Sequence, residues 1–598
     1  MKTLPMFRMA AIAAVISSAL LGARPAAADV GISVSPAQVS LPANGTQQFV
    51  ANVSGSSNSN VTWLVNGVPG GAPSLGTISP TGVYTAPAGA SSNFTATISA
   101  ASVASPTSTG AASAAVAAAT YIGPTYYVAT NGNDGNDGSA ANPWASIQWA
   151  VDHVPAGATV QVAGGTYNKL VTMTQSGSAT AGFITLMSAP GQTAIIDGTG
   201  LGIASGTQGL LNLSNVSYVR VIGLELRNYT SNSISQTPAG IYVQGTGDHI
   251  EIRNNHIHHI ATTITTSDGD AFGLAVYGTA ITPISQLIID GNTLDSLTLG
   301  YSESLSVNGN VQNWQVTNNE VHDNNNIGIV AIGFEGTAPS TSLDQARNGW
   351  IANNNVYNIT SSTNPAYNYQ PSADGIYVDG GTQITIEQNT VQAADLGIEL
   401  ASEHYGRTTS YITARNNIVF NSNVVGMSIG GYAASVGGTT HCNIVNNTLY
   451  ENDTNSSGSG ELQIQYNASS NLVANNILYA NDQGLLVSSP YTYSTPPATL
   501  QNNLYFSSAG SSGASWIWNG STYITLSTFQ QASGSETHGV LADPLFVNAA
   551  ALNLRLAAGS PGILQGLNLG LVVEGAYDYA GAARTTTSGL IDQGAYQH

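Results

Sequence analysis

Residues 374–404 read DGIYVDGGTQITIEQNTVQAADLGIELASEH, a stretch that holds Asp374, Asp379, Glu387, Asp395, Glu399 and Glu403 and ends on His404. The 598-residue chain has only 32 acidic residues, so six of them here are a concentration. Paired carboxyls can cut a glycosidic bond, one as proton donor and the other as nucleophile or base. Several around one point can instead hold a hard cation such as calcium. Acids pointing separately into solvent do neither. The choice depends on which side chains share a face, and therefore on the elements that carry them.

Those elements are short strands. Gly-apolar-x-apolar segments recur (GIYVQ, GLAVY, GIVAI, GIYVD, GIELA, GMSIG, GLLVS). Alternation sends the residue after each glycine inward: Ile241, Leu274, Leu305, Ile329, Ile376, Ile398, Met427, Leu462 and Leu485. Between them a second motif ends on asparagine, at Asn255, Asn292, Asn319, Asn354, Asn389, Asn417, Asn447 and Asn476, with spacings of 27 to 37 residues. A period in that range with almost no helical pattern describes stacked coils, a parallel β-helix over residues 123–598. The asparagines are expected to form a structural ladder at one corner.

Stacking turns the opening stretch into a site. The outward residues Tyr377/Asp379 and Glu399/Ala401 fall on neighbouring coils. The strand spacings put the Asp379 and Glu399 Cα atoms roughly 8 Å apart, compatible with a glycosidase carboxyl pair. Glu399 is expected as the acid and Asp379 as nucleophile or base. Asp374 and, two coils earlier, Glu303 line the same groove. Tyr377, Gln463 and Gln465 offer partners for sugar hydroxyls. Glu403, His404 and Arg407 sit on the loop that follows, His404 as a further base or as a partner of Glu403. Glu387 and Asp395 are expected to be solubilising acids.

Composition narrows the classes. The leader, Lys2 to Arg8 followed by MAAIAAVISSALLG and ARPAAAD, reads as a signal peptide over residues 1–28, so the protein is expected to be secreted, without a membrane span. Loss of Lys2, Arg8 and Arg24 takes the formal net charge from −20 to −23, which disfavours nucleic acid and acidic membranes. The same balance disfavours a polyuronate and leaves a neutral or weakly charged polysaccharide as the expected partner, bound by a monomer. The single Cys442 forms no internal disulfide. Residues 29–122 alternate in short strands with Gly/Pro/Asn turns, the pattern of a seven-stranded sandwich around Trp63.

Two resemblances sharpen this. TISPTGVYTAP is similar to bacterial Ig-like modules, which implies an all-β spacer or adhesive unit at 29–122. YYVATNGNDGNDGSAANPWASIQWAVDHVPAGATVQVAGGTY, DPLFVNAAALNLRLAAGSPGILQG and IDQGAYQH resemble the opening and closing coils of secreted right-handed parallel β-helix proteins of the pectate-lyase-like superfamily. That resemblance implies a capping helix at SIQWAVDHV. It also implies hydrolase, lyase or epimerase chemistry, or none, since fold alone does not select among them. The lysine-dependent lyases of this fold use calcium and a lysine base, but here the one lysine after Ala28, Lys169, lies in an early coil. The favoured expectation is therefore a glycoside hydrolase. A calcium-assisted lyase or epimerase, with Asp374, Asp379 and Glu399 around Ca2+, is the runner-up, and a non-catalytic carbohydrate-binding surface protein the third. HIHHI (His256, His258, His259) has no recognised zinc spacing, Asp134 and Asp137 read as turn residues, and Trp516 and Trp518 as a cap on the core.

Overall fold

Each repeat closes one coil of three strands, and stacked coils build three parallel sheets: the first, of 16 strands, starts at Thr125–Val128, the second, of 13, at Gly165–Tyr167, and the third, also of 13, at Val171–Met173. The computed structural model describes residues 29–90, 92–119, 123–584 and 589–598; the expected signal peptide lies outside them. Among the described residues no helix is long and apolar enough to cross a membrane.

The alternation places the core as expected. Ile329, Ile376, Ile398, Met427 and Leu462 pair in register along the third sheet and all lie in the buried interior. Leu485 breaks the series: a register shift there brings Val487, not Leu485, opposite Leu462. The recurrent glycine marks the corner where the chain enters this sheet. A Cβ on Gly375 would come within 2.5 Å of Val391 Cγ1, and on Gly397 within 2.3 Å of Val419 Cγ1. Only glycine lets the corner close over the core.

The asparagines form the expected ladder. Asn292 Oδ1 accepts from the backbone N–H and the amide of Asn255, each at 3.0 Å, while Asn292 Nδ2 donates to Ile252 O. The pattern repeats through Asn476 to Asn503, which donates to the buried carboxyl of Glu536. Residues just before the ladder, such as Asn318 and Asn416, turn the corner at φ 56°, a left-handed conformation asparagine tolerates better than most residues.

Both ends are closed. Ile147–His153 caps the first coil, its N-terminus held by Ser146 and by Asp134, which accepts from the Ala145 and Ser146 N–H groups at 2.9 Å. At the far end Trp516 and Trp518 are buried around Phe529 of the helix Leu526–Ser533. Beyond it the chain folds back over the second sheet, burying Leu554 and Ala595 against Ile418, Phe420 and Tyr450.

The N-terminal part differs in strand count from the expected seven: residues 31–116 make eleven short strands in three small, mainly antiparallel sheets. Trp63 is in their core, with Phe49, Tyr84 and Ile98. The module lies against the outer face of the first sheet, where Arg220 Nη2 donates to Gly89 O (3.2 Å), Ser74 N to Gln315 Oε1 (2.9 Å) and Arg415 Nη2 to Gly67 O (3.0 Å).

Candidate active site

The outer face of the third sheet is where the acids converge. Tyr377, Glu399, Ser428 and Gln463 occupy equivalent positions on four successive coils. Asp379 lies two residues beyond Tyr377. Asp374 lies just before the corner glycine, outside the alternation, and its carboxyl reaches Glu399 within hydrogen-bonding range. Asp374 and Asp379 are only 3% and 4% exposed. Glu399 is half-buried.

The partners of these carboxyls are unequal. Glu399 Oε1 accepts from Ser428 Oγ (2.5 Å) and Gln465 Nε2 (3.1 Å), and Gln465 also donates to Gln463 Oε1 (3.3 Å). Asp374 Oδ1 is buried without a partner. Burial, then the charge of Glu399, pushes the Asp374 carboxyl well above the ordinary range. Glu399 is raised less, burial being opposed by the Ser428 bond. Both carboxyls of the pair favour their protonated form, and the donors Ser428 and Gln465 support charge on Glu399 where Asp374 Oδ1 has no donor.

Asp379 accepts from the backbone N–H of Glu403 at 2.8 Å. Burial, then the neighbouring Glu403, raises it well above its ordinary value. Tyr377 Oη donates to Glu403 Oε1 at 3.4 Å. Glu303 belongs to the same field, raised by burial and then by Glu335, Asp270 and Glu403. His404 faces Glu335 (Nε2 to Oε1, 3.7 Å) and not Glu403 as its side-chain partner. One ligand atom each from Glu335, Asp379 and His404 lies within 4.8 Å of the others, a spacing that a cation can bridge. Arg407 lies over the Phe334 ring, 5.1 Å from its centroid, on the exposed loop.

Two expectations fail. Glu387 and Asp395 are not solvated acids but are 6% and 0% exposed. Glu387 is ion-paired with Arg415 at 2.7 Å and accepts from Trp350 Nε1 at 2.7 Å. Asp395 takes the N–H groups of Ser361, Ser372 and Ala373, with Thr360 Oγ1 and Asn423 Nδ2. Both are structural. The HIHHI side chains are engaged too: His256 with Asp295 (2.6 Å) and His258 with Glu225 (3.3 Å).

Sequence reasoning missed Glu335 and the tyrosines of the rim. Glu335 follows its strand as Glu403 follows the next one but one, so aligning the loops as well as the strands would have found it. Tyr301 stacks on Tyr367 (centroids 4.7 Å, 17°) on one side of the groove. The exposed Tyr432 lies within electrostatic reach of Glu403, Tyr301 and Asp379.

Comparison with known proteins agrees with this architecture. Residues 126–282 match the model of the Pel9A-like right-handed β-helix region, and residues 341–530 that of the right-handed β-helix region. The uncharacterized protein YwoF of Bacillus subtilis is 37% identical over 435 residues, 73% of this chain and 91% of that protein. The chain belongs to one family with YwoF, and two stretches of it match right-handed β-helix regions. Pectate lyase PEL9 of Emericella nidulans is 31% identical over 147 residues, 23% of this chain and 32% of that protein. Among solved structures, XylC in complex with xylose is 12% identical and covers 79% of this chain and 98% of that one, with a TM-score of 0.45. The pectate lyase Pel9A is 17% identical, covering 79% and 96%, with a TM-score of 0.41.

Proposed function

We propose that this protein is a secreted polysaccharide hydrolase whose chemistry is carried by Asp374 and Glu399. The observation that supports the reading is the Asp374–Glu399 pair: two carboxyls in hydrogen-bonding contact, with every neutral donor on Glu399 and none on the free oxygen of Asp374. A carboxyl kept protonated by burial and by an adjacent charge is what protonation of a leaving glycosidic oxygen requires. Glu399, whose charge is supported by Ser428 and Gln465, serves as the base or nucleophile, and Asp379, one coil and two residues from Glu399, extends the acidic groove. Tyr377, Glu303, Glu403, Gln463 and Gln465 bind the chain of sugars, and the N-terminal module is an Ig-like unit fixed to the back of the enzyme.

A calcium-assisted lyase or epimerase is the second reading, favoured by the Glu335–Asp379–His404 cluster and by the partial similarity to PEL9. A glycan panel incubated with and without chelator separates the two. New reducing ends in chelator, lost in Asp374→Asn, support hydrolysis. Chelator-sensitive absorbance of an unsaturated uronate would overturn it.

A further inference from the structure

The groove presents far more acceptors than donors. Glu303, Glu335, Asp374, Asp379, Glu399 and Glu403 act on one another through space. Of the nearby basic side chains, His404 Nε2 lies 3.7 Å from Glu335 Oε1 with no hydrogen-bond partner, and the exposed Arg407 lies over the Phe334 ring. Buried side-chain oxygens on the same face lack any partner, among them the acceptors Asn308 Oδ1, Asp374 Oδ1 and Gln465 Oε1, on residues 1%, 3% and 7% exposed. Unsatisfied buried acceptors are rare, and each asks for a donor. The rim adds apolar faces. Tyr301 is 48% exposed although stacked on Tyr367, and Tyr432 is 60% exposed. Asn364 Nδ2 and Asn326 Nδ2 both donate to Gly300 O, fixing the loop that carries Tyr301.

A ligand that fits brings positive charge, many N–H donors and a flat ring face. A polyuronate brings the wrong sign. A neutral glycan brings no charge to meet Glu399 and the rim acids Glu335 and Glu403. We propose that the substrate is a glycan with free amino groups, a hexosamine polymer whose ammonium groups meet Asp379, Glu399 and Glu403 while a sugar ring lies on Tyr301. The proposal rests on the hydrolase reading for cleavage but not for binding. Ammonium binding also favours the ionised form of the acids it meets, Asp374 excepted, so protons leave as the glycan enters.

The test is calorimetry on the full chain in chelator, with β-1,4- and β-1,6-linked glucosamine hexamers, their N-acetylated counterparts, and a galacturonate oligomer with and without calcium. At least one glucosamine hexamer should bind roughly tenfold or more tightly than its acetylated form, the gain expected of a single charge contact in a partly buried groove. Its apparent heat should vary with the buffer as protons are released, and its affinity should fall with salt. Tyr301→Ala should weaken it severalfold and Tyr301→Phe should not. Equal or tighter binding of the acetylated forms, binding of galacturonate with calcium alone, or no binding of either glucosamine hexamer overturns the proposal. Tight binding of a glucosamine hexamer with no cleavage leaves the ligand class standing and removes the hydrolase reading.

Discussion

Two faces of the β-helix bury carboxylates and treat them in opposite ways. On the outer face of the first sheet each buried acid has an arginine: Glu251 lies 3.0 Å from Arg220 and 2.9 Å from Arg253, and Glu387 lies 2.7 Å from Arg415. On the second sheet, hydrogen bonds from Thr199 and Arg227 overcome burial and take Asp197 far below the ordinary carboxylate range. On the third sheet Asp374, Asp379 and Glu303 have no arginine and move up. The chain carries 12 Lys and Arg in all, and those that pair with acids are spent on the faces that hold the structure together. Acids left uncompensated on one face are held there at a cost in stability, which is the mark of a working site.

That contrast can be broken at either face. The largest effect is expected for Asp374→Asn and Glu399→Gln, each lowering turnover by about 10²- to 10⁴-fold, with midpoints of unfolding equal to or above that of the parent. A drop in stability with activity intact would reverse the assignment. On the opposite face Arg415→Met strands the buried Glu387 and should cost about 3–5 kcal/mol in denaturant unfolding, with turnover of the folded protein retained. Glu387→Gln with Arg415→Met together should recover much of that loss, since the stranded charge is removed.

Smaller effects sharpen the comparison. Asn389→Ala removes one rung, leaving the Asn354 N–H and amide without their acceptor, for about 1–3 kcal/mol. The pH dependence comes from acids whose folded values are raised. Their protonated form is the one folding favours, so the folded state binds more protons and their contribution to stability falls as pH rises. Glu461, buried with Asn452 as its partner, is pushed up from 4.5 to about 8, and Glu536 to about 7. Thermal midpoints should therefore decline from about pH 5 towards pH 8. A Glu461→Gln variant should show a shallower decline, and an unchanged slope would remove Glu461 from the account.

The coil architecture was legible because its signals are local. Pleat alternation around Ile376 and Ile398 and the asparagine period each need only a few residues, and they place Tyr377, Asp379 and Glu399 correctly. The bulge at Leu485 was not legible, since no neighbouring residue announces it. Nor was the burial of Glu387, which depends on Arg415 and on a module some 320 residues earlier in the chain. Asp395 is covered by a loop whose Ser361 and Ser372 reach it only after the coil closes. The division of roles within the acid pair followed from Ser428 and Gln465, whose part depends on stacking one and two coils further on.

The contacts of Gly89 with Arg220 and of Gly67 with Arg415 bracket seven successive strands of the first sheet, a span of roughly 29 Å at the usual interstrand distance. The module thus works as a ruler laid against the solenoid. Duplicating or deleting one coil within the measured span would displace one contact by nearly 5 Å and break it, whereas coils outside that span can be gained or lost without touching it.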